Sequence, residues 1–253
     1  MRNWEHESGT IWYFDFKENA LKRAFTKKFL SKKGLNSIEV EQRINRLIEA
    51  PLKQCMNFLS STSYREKITD WQHLRSLYLH LLFQNMRSSV AGISTDQENI
   101  KKFETIFLGD ESKLDELVHF VETNFKIVIR SSQEDNFFCL PDVGSFMIPV
   151  KQKDNTYRWA LSAPITPLIT ILLAPRTIDM EFFERSAHVL NLFCVGHNAR
   201  FRKIIIPGYV KSQNTDQQIT LHLTEKREKA ISFFQGSQLI EFLSKGSIKM
   251  NIL

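Results

Sequence analysis

The chain lacks the motifs that most readily betray an enzyme. No GxxxxGK[ST] loop, GxGxxG turn, HExxH pair or GxSxG elbow occurs in it. Their absence argues against nucleotide hydrolysis by a phosphate loop, dinucleotide redox chemistry, zincin proteolysis and the hydrolase elbow. Cysteine is scarce: Cys55, Cys139 and Cys194 lie far apart and form no CxxC pair. Neither a zinc knuckle nor a disulfide framework is expected, and buried free thiols of a reducing compartment are. Gly (9) and Pro (7) are few in 253 residues, which favours long elements over a loop-rich scaffold. No apolar run approaches the ~20 residues that cross a bilayer, and "MRNWEHESGT" carries no apolar signal region. A soluble, cytoplasmic protein without a membrane partner is the expectation.

What is present is a core. Hydrophobic residues make up 42% and charged residues 25%, ordinary for a globular chain, and phenylalanine is abundant at 20 copies. The formal charge of +6 permits an anionic partner without demanding one. The densest cluster is Lys22, Arg23, Lys27, Lys28, Lys32 and Lys33, with no acid among them. It is either a solvated hairpin and loop or, since Phe25 and Phe29 interleave with it, a nucleic-acid contact in which bases stack on rings.

Elements follow from periodicity. "GTIWYFDF", the turn "KENA" and "LKRAFTKKFL" read as a hairpin over 9–30. Helical spacing then runs over 37–125: a helix capped by Asn36 or Ser37 that Pro51 kinks or splits, a long helix starting near Tyr64 or Thr69, and two amphipathic helices, the last with Leu114, Leu117, Val118 and Val121 on one face. Short apolar runs over 127–175 read as strands, with Pro164, Pro167 and Pro175 keeping "LITILLA" out of the middle of a ladder. The region 179–253 holds a helix to about residue 200, strand candidates "KIIIPG" and "QITLHL", and a weakly helical "REKAISFF". Helices first and strands later predict an α+β fold: a helical layer packed on an antiparallel or mixed β-sheet, in a single domain spanning 1–253.

The stretch "HLRSLYLHLLFQNMR" is too apolar for a surface helix yet polar at several points. Its Arg75-x4-His80 spacing resembles the signature of HEPN ribonucleases, whose His and Arg would handle a scissile phosphate; the strands of this chain depart from that all-α superfamily. A second pattern is His73, His80, Gln84 and Arg87, spaced by seven, four and three residues and so on one helix face. That stripe is either a site or a satisfied polar seam. Asp142 in "LPDVGS" is either a turn residue or a loop carboxylate serving a site. "LNLFCVGHNARFRK" places His197, Asn198, Arg200, Arg202 and Lys203 where they serve either a helix dipole or an anion.

Taken in order, these pieces resemble the bacterial domain-of-unknown-function family numbered 4238. "IWYFD" and "IEVEQRINRLIEAPL" are similar to its early strand and helix, "LLFQNMR" to its "lQ-x-x-R" helix, "FFCLPDVG" to its "F-x-x-S-D-x-P" strand end, "APITPLITILLAP" to its "PLsP" segment, and "LNLFCVGHNARF" to its "N…A-r" helix. The family's Ser and following Pro at the strand end, and its "H-Y-x-P" opening, have no counterpart, so any functional histidine of that opening is not expected in this chain. The resemblance implies emphasis on Gln84, Arg87, Asp142, Asn191 and Arg200.

Two functional expectations follow. The first is a nucleic-acid-directed protein, a nuclease in phage defence or mobile-element conflict. His80 would be its acid/base, Arg87 and Arg200 its phosphate ligands, and Asp142 the group orienting a base or a metal. Gln84 and Asn191 would support these groups, and Lys27, Lys28, Lys32 and Lys33 would hold nucleic acid. The second is a non-enzymatic interaction module with a protein partner. No cofactor and no metal-ligand set is assigned.

Overall fold

The computed structural model describes residues 4–6, 9–26, 37–61, 70–92, 105, 109–132, 137–142, 144–151, 154, 157–178, 190–191, 194 and 203–235. The fold is α+β, with two four-stranded antiparallel sheets and a helical layer. The helices are α1 (Ile38–Ile44), α2 (Ala50–Ser61), α3 (Trp71–Gly92), α4 (Glu111–Asn124), α5 (Gly208–Gln213) and α6 (Asp216–Gln235). The strands are β1 (Thr10–Asp15), β2 (Ala20–Phe25), β3 (Phe125–Ser131), β4 (Leu140–Pro141), β5 (Phe146–Lys151), β6 (Tyr157–Thr166), β7 (Ile169–Pro175) and β8 (Lys203–Ile206).

The sequence predicts one sheet; the chain builds two, because the tail returns. β8 pairs with β1, so the N-terminal hairpin joins a β2-β1-β8-β4 sheet, while β3-β7-β6-β5 forms the other. The second sheet is buried on both faces. Met147, Leu161, Ala163, Ile169, Ile171 and Leu173 face the helical layer, whose core includes Val40, Ile44, Leu77, Leu81 and Val118. Phe146, Ile148, Val150, Ala160, Leu172 and Ala174 face the first sheet, meeting Phe14, Ile204 and Ile206. Double burial is why "ITILLA" reads as an unbroken apolar run. Its one polar intrusion, Thr170, meets Ser162 at 3.0 Å, so each hydroxyl satisfies the other.

Contrary to the sequence expectation, β7 does lie mid-ladder, flanked by β3 and β6. The missing N–H of Pro164 is accommodated instead in β6, where the register shifts between Pro164 and Thr166. Pro51 does not split its helix either. The chain stays helical from Ile38 to Ser61 through a widened π turn, Asn45–Glu49, in which the Ala50 N–H donates to the Asn45 carbonyl. The wider turn immediately precedes the proline and relaxes the clash its ring imposes on an α-helical carbonyl.

"QITLHL" is a correction as well: it is helix, inside α6. Ile219, Leu223 and Lys226 recur at helical spacing and are buried. The start is fixed by a reciprocal cap, in which the Thr215 N–H donates to Gln218 Oε1 at 2.9 Å and the Gln218 N–H to Thr215 Oγ1 at 3.2 Å. Ser37 caps α1 and Asp70 caps α3. Among the described residues, no helix is long and apolar enough to cross a membrane.

Candidate functional site

Helix α3 is buried nearly all round between Ser76 and Phe83, wedged among α2, α4 and β6. His80 and Gln84 interrupt this burial and are only partly covered. Gln84 reaches the turn after β4: a Cβ built on Gly144 would fall 2.2 Å from Gln84 Oε1. Of the polar stripe, Gln84 therefore reaches the loop that carries Asp142. At the stripe's other end His73 stacks on Phe58 of α2, with ring centroids 4.9 Å apart.

The turn itself is tight. The Asp142 N–H donates to the Lys203 carbonyl at 3.0 Å, extending the β4–β8 pairing, and the Gly144 N–H donates to Pro141 O at 2.9 Å. Gly144 has φ +81, the left-handed region that glycine enters most cheaply. Two requirements, backbone conformation and the approach of Gln84, thus fall on one glycine.

Behind the turn lies a polar seam inside the core. Asn191 is buried; its Oδ1 accepts the Cys139 N–H at 2.8 Å, and its Nδ2 donates to the Phe137 carbonyl. The amide therefore replaces a strand neighbour for residues 137–139. One turn further, Cys194 Sγ lies 3.9 Å from the Cys139 carbonyl. Burial holds the Cys194 thiol well above its usual range, with Cys139 and Asp142 pushing the same way. Burial raises Cys139 to about 11, slightly opposed by Lys226. These thiols stay protonated and are poor nucleophiles. Cys55, in the helical layer, is likewise raised by burial to about 11.

Burial also lowers the pKa of His80, to about 4. The imidazole is neutral near pH 7, where it can accept a proton only weakly but can hydrogen-bond. Arg75 is occupied elsewhere: its Nε donates to Asp115 Oδ1 of α4 at 2.7 Å. It ties two helices together, and at five residues from His80 it lies about 140° around the helix.

A second group of chemically useful side chains sits on the β2-β1-β8 sheet; Lys22 and Lys203 stand out in the sequence as members of basic stretches, but their grouping with Tyr13 does not. Tyr13, Lys22 and Lys203 share one face: Lys22 pairs with Tyr13 across β2, and Lys203 Nζ lies 5.0 Å from the Tyr13 ring centroid. Asp15 shares the face but is buried, and its Oδ1 accepts the Lys17 and Glu18 N–H groups. Glu18, at the hairpin tip, pairs with Lys22 and raises its pKa. On the opposite face Lys211 Nζ stands 4.8 Å over the Trp12 ring, with Arg23 paired to Trp12 across the ladder. The signal was in "IWYFD", where strand alternation puts Tyr13 and Asp15 on one side. The placement of Lys203 beside them depends on a pairing between residues far apart in sequence.

Of the expected site residues, His80, Gln84, Asp142 and Asn191 are described; Gln84 and the Asp142 turn are in contact, and Asn191 holds the strand leading into that turn. Lys27, Lys28, Lys32, Lys33 and Arg200 lie outside the described residues, as does the side chain of Arg87. Among the described residues, no group of three or more His, Cys, Asp or Glu is placed to hold a metal ion. Compared with known protein families, with characterised proteins and with solved structures, the chain matches none.

Proposed function

We propose that this chain acts on nucleic acid. The observation that carries the proposal is the Tyr13–Lys22–Lys203 arrangement, a half-buried aromatic ring with cations beside and above it on one sheet face of a protein of net charge +6. Lysines meet phosphates and release counterions, and a ring offers every base a stacking surface. The Asp15 carboxylate is turned into the backbone of the hairpin turn, and the surface Glu18–Lys22 pair is weak enough for a phosphate to replace Glu18. A role in defence against phage or mobile elements, and kinship with family 4238, are proposed on the same footing. The family's patterns single out Gln84, which reaches the turn that carries Asp142, and Asn191, which holds residues 137–139 leading into that turn.

Cleavage is the finer part of the proposal. Asp142 would orient a water or a metal, with neutral His80 as a hydrogen-bonding partner rather than a proton donor. The experiment is fluorescence anisotropy on labelled RNA and DNA, paired with a cleavage assay with and without Mg²⁺ or Mn²⁺. Salt-dependent binding is expected, with cleavage lost in Asp142→Asn. Binding without cleavage removes the nuclease reading alone; absence of binding at low salt removes the whole proposal.

The alternative, a non-enzymatic module with a protein partner, is favoured by one observation. Large apolar side chains are solvent-exposed at Phe25, Ile38, Trp71, Phe120 and Leu221.

A further inference from the structure

Resting on the nucleic-acid reading above, we infer that the Tyr13 face of the β2-β1-β8 sheet takes single-stranded rather than duplex nucleic acid, with a base stacked on Tyr13 and the flanking phosphates held by Lys22 and Lys203.

The register supplies the geometry. Lys22 is opposite Tyr13 on β2, and Lys203 is opposite Asp15 on β8, so the two lysines bracket the ring diagonally across three adjacent strands. Neighbouring strands are about 4.8 Å apart, so the cations lie within reach of successive phosphates around one stacked base. A duplex offers no free base face to a ring on a sheet, whereas an unpaired strand does.

Lys203 occupies the ring face at present, 5.0 Å from its centroid. The ring is half-buried beside Trp4 and Ile11, and a lysine over such a ring is held by a modest cation–π attraction. Base stacking on an aromatic side chain is generally the larger contribution. A base therefore displaces the ammonium, and the flexible lysine stem carries it outward to a phosphate. Glu18 plays the equivalent part for Lys22: it is a carboxylate placeholder at an exposed tip. The buried Asp15, its oxygen committed to the backbone of the turn, stays out of the exchange.

The test uses the full chain with fluorescein-labelled 20-nucleotide single strands of DNA and of RNA, and the matching duplexes, from 50 to 200 mM NaCl. Single strands are expected to bind at least ten-fold more tightly than duplexes. Tyr13→Phe should keep that affinity, Tyr13→Leu should lose about ten-fold on single strands only, and Lys203→Gln should lower the salt slope by about one unit. If Tyr13→Leu does not fold by circular dichroism, Lys22→Gln with Lys203→Gln carries the test through a fall of about two units in slope. Equal affinity for duplex and single strand, or unchanged slopes in both lysine variants, overturns this inference and leaves the broader reading standing. Failure of every probe to bind removes both.

Discussion

Gln84 of α3 occupies the space that a side chain at residue 144 would need: a Gly144 Cβ would sit 2.2 Å from its Oε1 and 2.8 Å from its Cδ. This contact ties the helical layer to the Asp142 turn. Gly144→Ala should therefore destabilise the protein twice over. The left-handed backbone costs an alanine about 1–2 kcal/mol, and the clash with Gln84 adds to it. In a Gln84→Ala background only the backbone part should remain. Urea unfolding of the two single variants and the double variant reads this directly; additive effects would mean that Gln84 simply swings aside.

Histidine 80 should make the fold acid-sensitive. Its folded pKa, about 4, lies below the unfolded value of about 6.5. Between these values the unfolded chain binds the proton and the folded one does not, so stability falls as pH drops from 6.5 toward 4. The full loss is on the order of 3 kcal/mol. His80→Gln should flatten that part of the stability–pH curve, measured by denaturant midpoints at half-unit steps. An unaltered curve would show that other groups set the acid limit.

Asn191 bridges two main-chain groups, Cys139 N–H and Phe137 C=O, where water is excluded. Asn191→Ala leaves both without their partner, at about 1–3 kcal/mol each. Asn191→Asp keeps the acceptor, loses the donor and buries a charge, so it should be no milder. Thermal denaturation is the readout, and a change in Tm of less than two degrees for either variant would contradict the assignment of this residue as a backbone strut.

All three cysteines are buried, with thiol pKa values raised by burial. Native protein at pH 8 should react negligibly with a thiol-specific chromogen over minutes, and three equivalents should appear on unfolding in guanidinium. Rapid labelling of one thiol in the native state would reveal a local opening at that cysteine.

Much of this was legible in local patterns. The β-branched and aromatic run "TIWYFD" with the turn after it, and helical spacing in Leu114, Val118 and Val121, depend only on neighbours in sequence, and a hairpin and a helix formed there. "QITLHL" misled because three β-branched or aliphatic residues at alternate positions mimic a strand; the Thr215–Gln218 cap, four residues that spell a helix start, was the stronger signal. The β2-β1-β8-β4 sheet was illegible for another reason. β8 joins β1 across almost the whole chain, and nothing local encodes that pairing. The site divides similarly. Gln84 and Asp142 stood out as polar residues in apolar surroundings, but their meeting through Gly144, and the arrival of Lys203 over Tyr13, are products of the tertiary fold.

The π turn before Pro51 has a consequence for helix phase. At about 100° per residue, an unbroken α-helix starting at Val40 would place Cys55 about 60° and Leu59 about 100° around the axis from it. The widened turn absorbs roughly one residue's rotation, which brings Leu59 into line with Val40 and sets Cys55 about 40° to its other side, and both are buried with Val40 and Ile44. Asn45–Glu49 thus behaves as a one-residue insertion that the helix keeps rather than expels. Deleting a single residue there would remove the insertion and restore regular winding with Cys55 and Leu59 still in phase, so a shorter, more regular helix should keep the same packing.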